Sequence, residues 1–155
     1  MDKLCLEELR AHFDREITRK DSIESKASYI LGITVVILPL LFSILLEMDS
    51  ITHNKEIIMC ILVITFIVVF IILILSLKIL DLTNVSYPLP SLNPNELNNF
   101  FEKENMEEEL KDKYLMALPI INKENDSKAK KLVMCFKSIM VLSILIIVLF
   151  IGVLL

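Results

Sequence analysis

Charged residues are absent from three long stretches of the chain, and those gaps set its architecture. Residues 27–46 (ASYILGITVVILPLLFSILL), 57–77 (IIMCILVITFIVVFIILILSL) and 138–155 (SIMVLSILIIVLFIGVLL) run for 20, 21 and 18 residues without a charge. At about 1.5 Å rise per residue each reaches roughly 27–32 Å, enough for a hydrocarbon core of about 30 Å. Backbone in hydrocarbon has to satisfy its own hydrogen bonds, which makes these runs helices. The second run is rich in Ile, Val and Thr, a strand signal in water. Its length and its lack of turn residues outweigh that signal. The pattern predicts an all-α membrane protein: three transmembrane helices, an N-terminal amphipathic helix and a helical cytoplasmic loop.

Between the spans the pattern becomes amphipathic. In residues 1–26, Leu6, Leu9, Phe13 and Ile17 form an apolar stripe on a charged helix, and Ile23, Ala27 and Ile30 carry it into the first span. Two alternatives stand: one long helix, or a break near Asp21 and Ser22, where either side chain suits an N-cap. The segment reads as an interfacial helix or a packing arm. Residues 47–56 form a short external loop, and residues 78–137 a long cytoplasmic helical one. The long loop opens with Pro88, Pro90 and Pro94, which enforce extended or turn backbone. Asn93, Pro94 and Glu96 then make a helix start, predicting a helix over 94–118 with Leu97, Phe100, Phe101, Tyr114 and Leu118 on one face. Pro119 is expected to end it, and a second helix to begin near Asp126 and run into the third span.

Charge gives the spans a direction. Lys and Arg number six before Ala27, one in 47–56 and nine in 78–137. The positive-inside rule then places the N-terminus and the long loop in the cytoplasm of a cell whose inner (plasma) membrane the chain crosses, with the C-terminus outside. The segment ahead of the first span is too long and too charged for a signal-peptide n-region, so that span reads as retained. The long loop is itself segregated. Residues 102–112 hold six acids and two lysines, and 123–137 hold five lysines and two acids. The acidic part is expected to project from the membrane or meet the basic N-terminal helix, and the basic part to lie beside the inner leaflet.

Composition agrees. The chain of 155 residues is 55% hydrophobic with a net charge of −4 and a mean hydropathy of +0.65. One soluble core, a disordered chain and a nucleic-acid binder are all disfavoured. Candidate chemistry is sparse. His12 and His53 fall on opposite sides of the membrane in this topology, and Cys5, Cys60 and Cys135 have no metal spacing. Two glycines cannot build a phosphate loop. Asn84 and Asn125 head glycosylation triplets, both on the cytoplasmic side. No catalytic, metal or cofactor site is expected, and enzyme is the weakest class.

Within the spans, Ser25, Ser28, Gly32, Pro39 and Ser43 fall near one side of the first helix, with Pro39 expected to kink it. This small-residue stripe is a candidate interface, either between copies or within one three-helix bundle. Gly152 with Ser138 and Leu145 gives the third span a weaker face of the same kind. The second span has one hydroxyl near its middle, Thr65, and is expected to face lipid. No ionisable side chain sits mid-span, which argues against a transporter.

The string DSIESKASYILGI resembles the entry to the first membrane helix of Pycsar-type transmembrane effector domains and related small antiphage membrane effectors. Their pattern is an acid, one residue, Lys-Ala, then Leu-Gly. It reads here as Glu24-Ser25-Lys26-Ala27 followed by Leu31-Gly32, with Glu24 in place of the common Asp. The Tyr87-Pro88 turn and the string from Tyr114 through Asn122 and Asn125 to Lys128 are similar as well. The resemblance implies an effector of nucleotide-signalling antiphage defence that oligomerises and permeabilises the inner membrane. It also implies polar contacts at the membrane face from Glu24, Lys26, Asn122 and Lys128, with Lys26 pairing to a loop acid or Asn122 capping a helix. Expected partners are membrane lipids, further copies of the chain, and a cytoplasmic sensor or nucleotide-signalling partner. The rival is a non-enzymatic membrane scaffold or accessory subunit that docks a partner on the 94–118 helix. A phage holin ranks last, because its usual orientation opposes the Lys/Arg count.

Overall fold

The computed structural model describes residues 2–48, 55–80 and 106–154, and among them every regular element is a helix. These are α1 (Asp2–Leu46), α2 (Lys55–Leu80) and α3 (Met106–Leu154). All three are long and apolar enough to cross a membrane. They divide into two compact units. Unit 1 comprises Met1–Ser22 and Leu82–Ser127, and unit 2 comprises Ile23–Asp81 and Lys128–Leu155.

Unit 2 is a three-helix bundle. On α2 the buried residues are Ile58, Leu62, Thr65, Val69, Ile72, Ser76 and Ile79. Their alternating steps of four and three give an average period of 3.5, the spacing of helices packed side by side along their length. Ile23, Ala27, Ile30 and Leu41 of α1 and Leu132, Cys135, Leu142 and Leu149 of α3 complete the core. Direction follows from the contacts. Ser76 Oγ lies 3.9 Å from Cys135 Sγ, and a Cβ on Gly152 would lie 3.5 Å from Ile58 Cγ1. Late α2 therefore meets early α3 and early α2 meets late α3, an antiparallel pair. A short connection joins α1 to α2, with Phe42 against Phe66 at a 5.2 Å ring separation. The outer face is largely apolar along the spans, with Val36, Ile67, Phe70, Ile144 and Ile147 all about half exposed or more. An apolar surface of that extent suits lipid rather than water. The buried threonine hydroxyls are satisfied within their own helices: Thr34 donates to the Ile30 carbonyl and Thr65 to the Ile61 carbonyl, both at 2.7 Å.

Unit 1 has a smaller core. Phe13 of α1 and Ala117 and Ile121 of α3 are buried, with Ile17, Tyr114 and Leu118 packed against them. Phe13 and Tyr114 meet edge to face at 5.4 Å. The N-terminal amphipathic segment is thus a packing arm within its unit.

Three expectations need correction. The second span does not simply face lipid, because one side of it, Thr65 included, is fully buried. Pro119 does not end a helix; α3 runs through it without a new start near Asp126. Pro119 and Leu115, whose carbonyl loses its usual donor, are both exposed. The cost of about 3 kcal/mol for an interior proline is offset by burial of Ala117 and Ile121 on the opposite side. At Asp21 and Ser22 the one-long-helix alternative holds. The expected start at 94, with Leu97, Phe100 and Phe101, lies outside the described residues, as does the turn at Pro88 and Pro90.

Candidate functional site: a polar layer, an ion pair and a small-residue face

In unit 1, one turn beyond Phe13, the seam between α1 and α3 turns polar. Glu16 sits at its centre with a side chain only 13% exposed. Asn125 Nδ2 donates to the Glu16 main-chain carbonyl and to Glu16 Oε2, both at 2.8 Å. The Asn122 amide nitrogen, oriented toward the same carboxylate, donates to its two oxygens at 3.0 and 3.1 Å. Arg19 joins from one turn along, 3.4 Å from Glu16 Oε2 and 2.7 Å from Asp126 Oδ1. The hydrogen bond to Asp126 holds the guanidinium above its usual range, against a smaller desolvation effect. Because that value is raised, the contribution is complete below the ordinary arginine range and is lost only in stronger alkali. Arg19 therefore stays charged at any pH a cell meets.

This layer links two helices through a carboxylate that accepts several donors. Charge-assisted hydrogen bonds of this kind are worth roughly 1.5–3 kcal/mol each when buried. Asn125 Oδ1 is buried with no partner, so the layer is not fully satisfied. A polar layer in an otherwise apolar seam fixes register at a cost in stability. It also keeps Asn125 from serving as a glycosylation acceptor, since that side chain is fully buried.

In unit 2, Lys128 Nζ donates to Glu24 Oε1 at 2.6 Å, with side chains 7% and 25% exposed. Two of the four residues expected at the membrane face are therefore partners of each other. Lys26 is exposed and pairs with no acid among the described residues. Asn122 is not a cap, because it lies inside α3. Of the acids at the start of α3, Glu109 pairs with Lys113 on its own helix at 3.3 Å. In unit 1 an ion pair between the helices is made by Arg19 and Asp126.

The small-residue stripe faces outward. Ser25, Ser28, Gly32, Pro39 and Ser43 are all exposed, and a Cβ on Gly32 would meet nothing within 4 Å. A shallow apolar groove runs beside Gly32, lined by Ser28, Tyr29, Ile33, Val36 and Ile37. Among the described residues, the stripe does not pack inside the bundle. Gly152 of the third span does pack inside the bundle, against Ile58.

Glu16, Arg19, Asn125 and Asp126 were not named as site residues from sequence. A period of 3.5 would have found two of them. Counting Phe13, Glu16, Lys20, Ile23 puts Glu16 on the inner side, and Ile121, Asn125, Lys128, Leu132 does the same for Asn125. Among the described residues no group of three or more His, Cys, Asp or Glu is placed to hold a metal. Comparison of the chain with protein-family models, curated proteins and solved structures finds no significant match.

Proposed function

We propose that the chain is a non-enzymatic membrane effector of prokaryotic antiphage defence, of the nucleotide-signalling type, which self-associates and permeabilises the inner membrane. The observation that carries this reading is the outward position of Ser25, Ser28, Gly32, Pro39 and Ser43. In lipid, helix association depends on close packing, and small residues permit it. A face of that kind turned away from its own bundle suits a second copy. The resemblance of the 21–33 and 114–128 strings supplies the defence context, and the Lys/Arg distribution supplies a cytoplasmic N-terminus. In this scheme the Glu16 layer of unit 1 holds the resting arrangement, and a cytoplasmic signal alters its packing.

The test is membrane potential in living bacteria, read with a potential-sensitive dye under the native trigger. Wild type is expected to depolarise the cells and Gly32→Leu to leave the potential intact. Retained potential with wild type, its neighbouring genes and a phage challenge all present would overturn the effector reading. The exposed acids Glu107, Glu108 and Asp112 at the start of α3 favour a second reading, a scaffold that docks a basic partner there. Cross-linking separates the two, as a homo-oligomeric ladder or a stoichiometric foreign band.

A further inference from the structure

We infer that one end of unit 2 is a binding band for the phosphate headgroups of anionic phospholipids, built from Lys26, Lys78, Lys130, Lys131 and Lys137. The inference rests on the membrane-spanning fold and not on the effector reading. Two contacts set the levels. Glu24 meets Lys128 at 2.6 Å, and α1 and α3 run parallel, so Lys26 and Lys130, each two residues further on, share a level. Ser76 meets Cys135 at 3.9 Å, and α2 runs antiparallel to α3, so Lys78 lies level with about residue 133. Lys137 is two turns beyond Lys130, about 10 Å along the axis. The five lysines thus occupy a band about 10 Å deep, on three different helices.

Immediately beyond the band every helix loses its charges, in 27–46, 57–77 and 138–155. The headgroup layer on each side of a roughly 30 Å core is about 5–8 Å thick. Lysine stems lie along apolar surface while their ammonium groups reach outward, which spans the remaining difference. Lys26, Lys78, Lys130 and Lys137 are exposed and Lys131 is half-buried. Glu24 is the one acid at this end among the described residues of unit 2, and Lys128 engages it. The other end offers Glu47, Lys55 and Glu56 among its described residues, a balance that does not attract phosphate. The spread of the five lysines over three helices at headgroup depth suits several lipid phosphates at once.

The experiment uses the full chain reconstituted in phosphatidylcholine bilayers with traces of spin-labelled phosphatidylglycerol or phosphatidylcholine. At about 1 kcal/mol of attraction per surface cation, wild type is expected to immobilise the anionic probe about fivefold over the zwitterionic one. The preference is expected to fall toward parity as salt is raised. Replacing Lys26, Lys78, Lys130, Lys131 and Lys137 together by Gln is expected to abolish it, with helicity checked by circular dichroism. The corresponding quintuple Arg variant, and Lys55→Gln at the far end, are expected to retain it. A wild-type preference at parity, or one independent of salt, overturns the inference without any variant. So does a preference that survives the Gln variant, or one that inorganic phosphate removes at constant ionic strength, which would assign the lysines to a free anion.

Discussion

The two units use opposite means to hold helices together. Unit 1 joins a small apolar cluster around Phe13 and Ile121 to a polar layer around Glu16. Unit 2 runs a single apolar seam along three helices, broken among the described residues only by Thr34, Thr65, Ser76 and the Glu24–Lys128 pair. The difference follows from the solvent each is suited to. In water, burial of apolar surface drives pairing, and a polar layer adds register. In lipid the surroundings are as apolar as the core, so burial favours no partner and close packing decides. The unit 2 threonine hydroxyls bond to their own helices, and only the weak Ser76–Cys135 contact and the Glu24–Lys128 pair cross the seam among the described residues. The unit 1 amides and carboxylates bond across helices.

The largest expected effect comes from breaking the unit that relies on burial. Phe13→Ala removes a ring that is 5% exposed and is expected to destabilise unit 1 by about 3–5 kcal/mol. Hydrogen exchange would register it as lost amide protection in 13–22 and 107–127, with protection over 58–79 kept. Equal loss in both stretches would mean that the contrast between the units is not energetic.

Next is the ion pair of unit 2. Glu24→Ala takes the carboxylate from a lysine side chain that is 7% exposed. A fully buried pair broken on one side costs roughly 3–5 kcal/mol, and the partial exposure of Glu24 lowers the expectation to about 2–3 kcal/mol. Replacing Glu24 and Lys128 together with Gln and Met is expected to recover most of it. Thermal unfolding in detergent measures both. A double variant no better than the single would show that position, not charge balance, is what matters there.

The polar layer should yield somewhat less. Glu16→Ala strands the Asn122 donor and leaves Asn125 only its bond to the main-chain carbonyl of residue 16, and is expected to cost unit 1 about 2 kcal/mol. Replacing Glu16, Asn122 and Asn125 together by Leu is expected to be neutral or stabilising, while alternative helix pairings increase. Cysteine cross-linking between α1 and α3 at shifted registers would detect them.

The contrast also explains what could be read from sequence. The three helices were legible because an uncharged run of 18 or more residues has few other meanings. The inner side of α2 was not, because a helix apolar all round offers no contrast between faces. Thr65 and Ser76, eleven residues or about three turns apart, were its only markers. Pro119 misled because a local rule for helix ends ignores which side of the helix the proline occupies. Glu24 and Lys128 were legible as site residues, but their pairing spans 104 residues, beyond any local pattern. Glu16 and Asn125 were hidden among other polar residues, where only the seam period distinguishes an inward position from a solvated one.

The smallest effect on the fold should come from the outward face, and it sharpens the comparison most. Ala27 and Gly32 are both small residues on α1, five positions apart. Ala27 is fully buried inside the bundle, whereas Gly32 opens on empty space. Ala27→Leu has to force methylenes into a packed seam, and is expected to destabilise unit 2 by about 1–3 kcal/mol. Gly32→Leu meets no neighbour and replaces a poor helix former with a good one, so its effect on unfolding is expected to stay within about 0.5 kcal/mol of neutral, or to stabilise slightly. Its effect on self-association should be the reverse of small, because a leucine on that face holds a second helix away. Förster transfer between labelled copies in lipid vesicles measures this directly. Transfer is expected from wild type and lost in Gly32→Leu at unchanged thermal stability. Undiminished transfer would move the interface off α1, and the small residues there would then serve only the helix's passage through lipid.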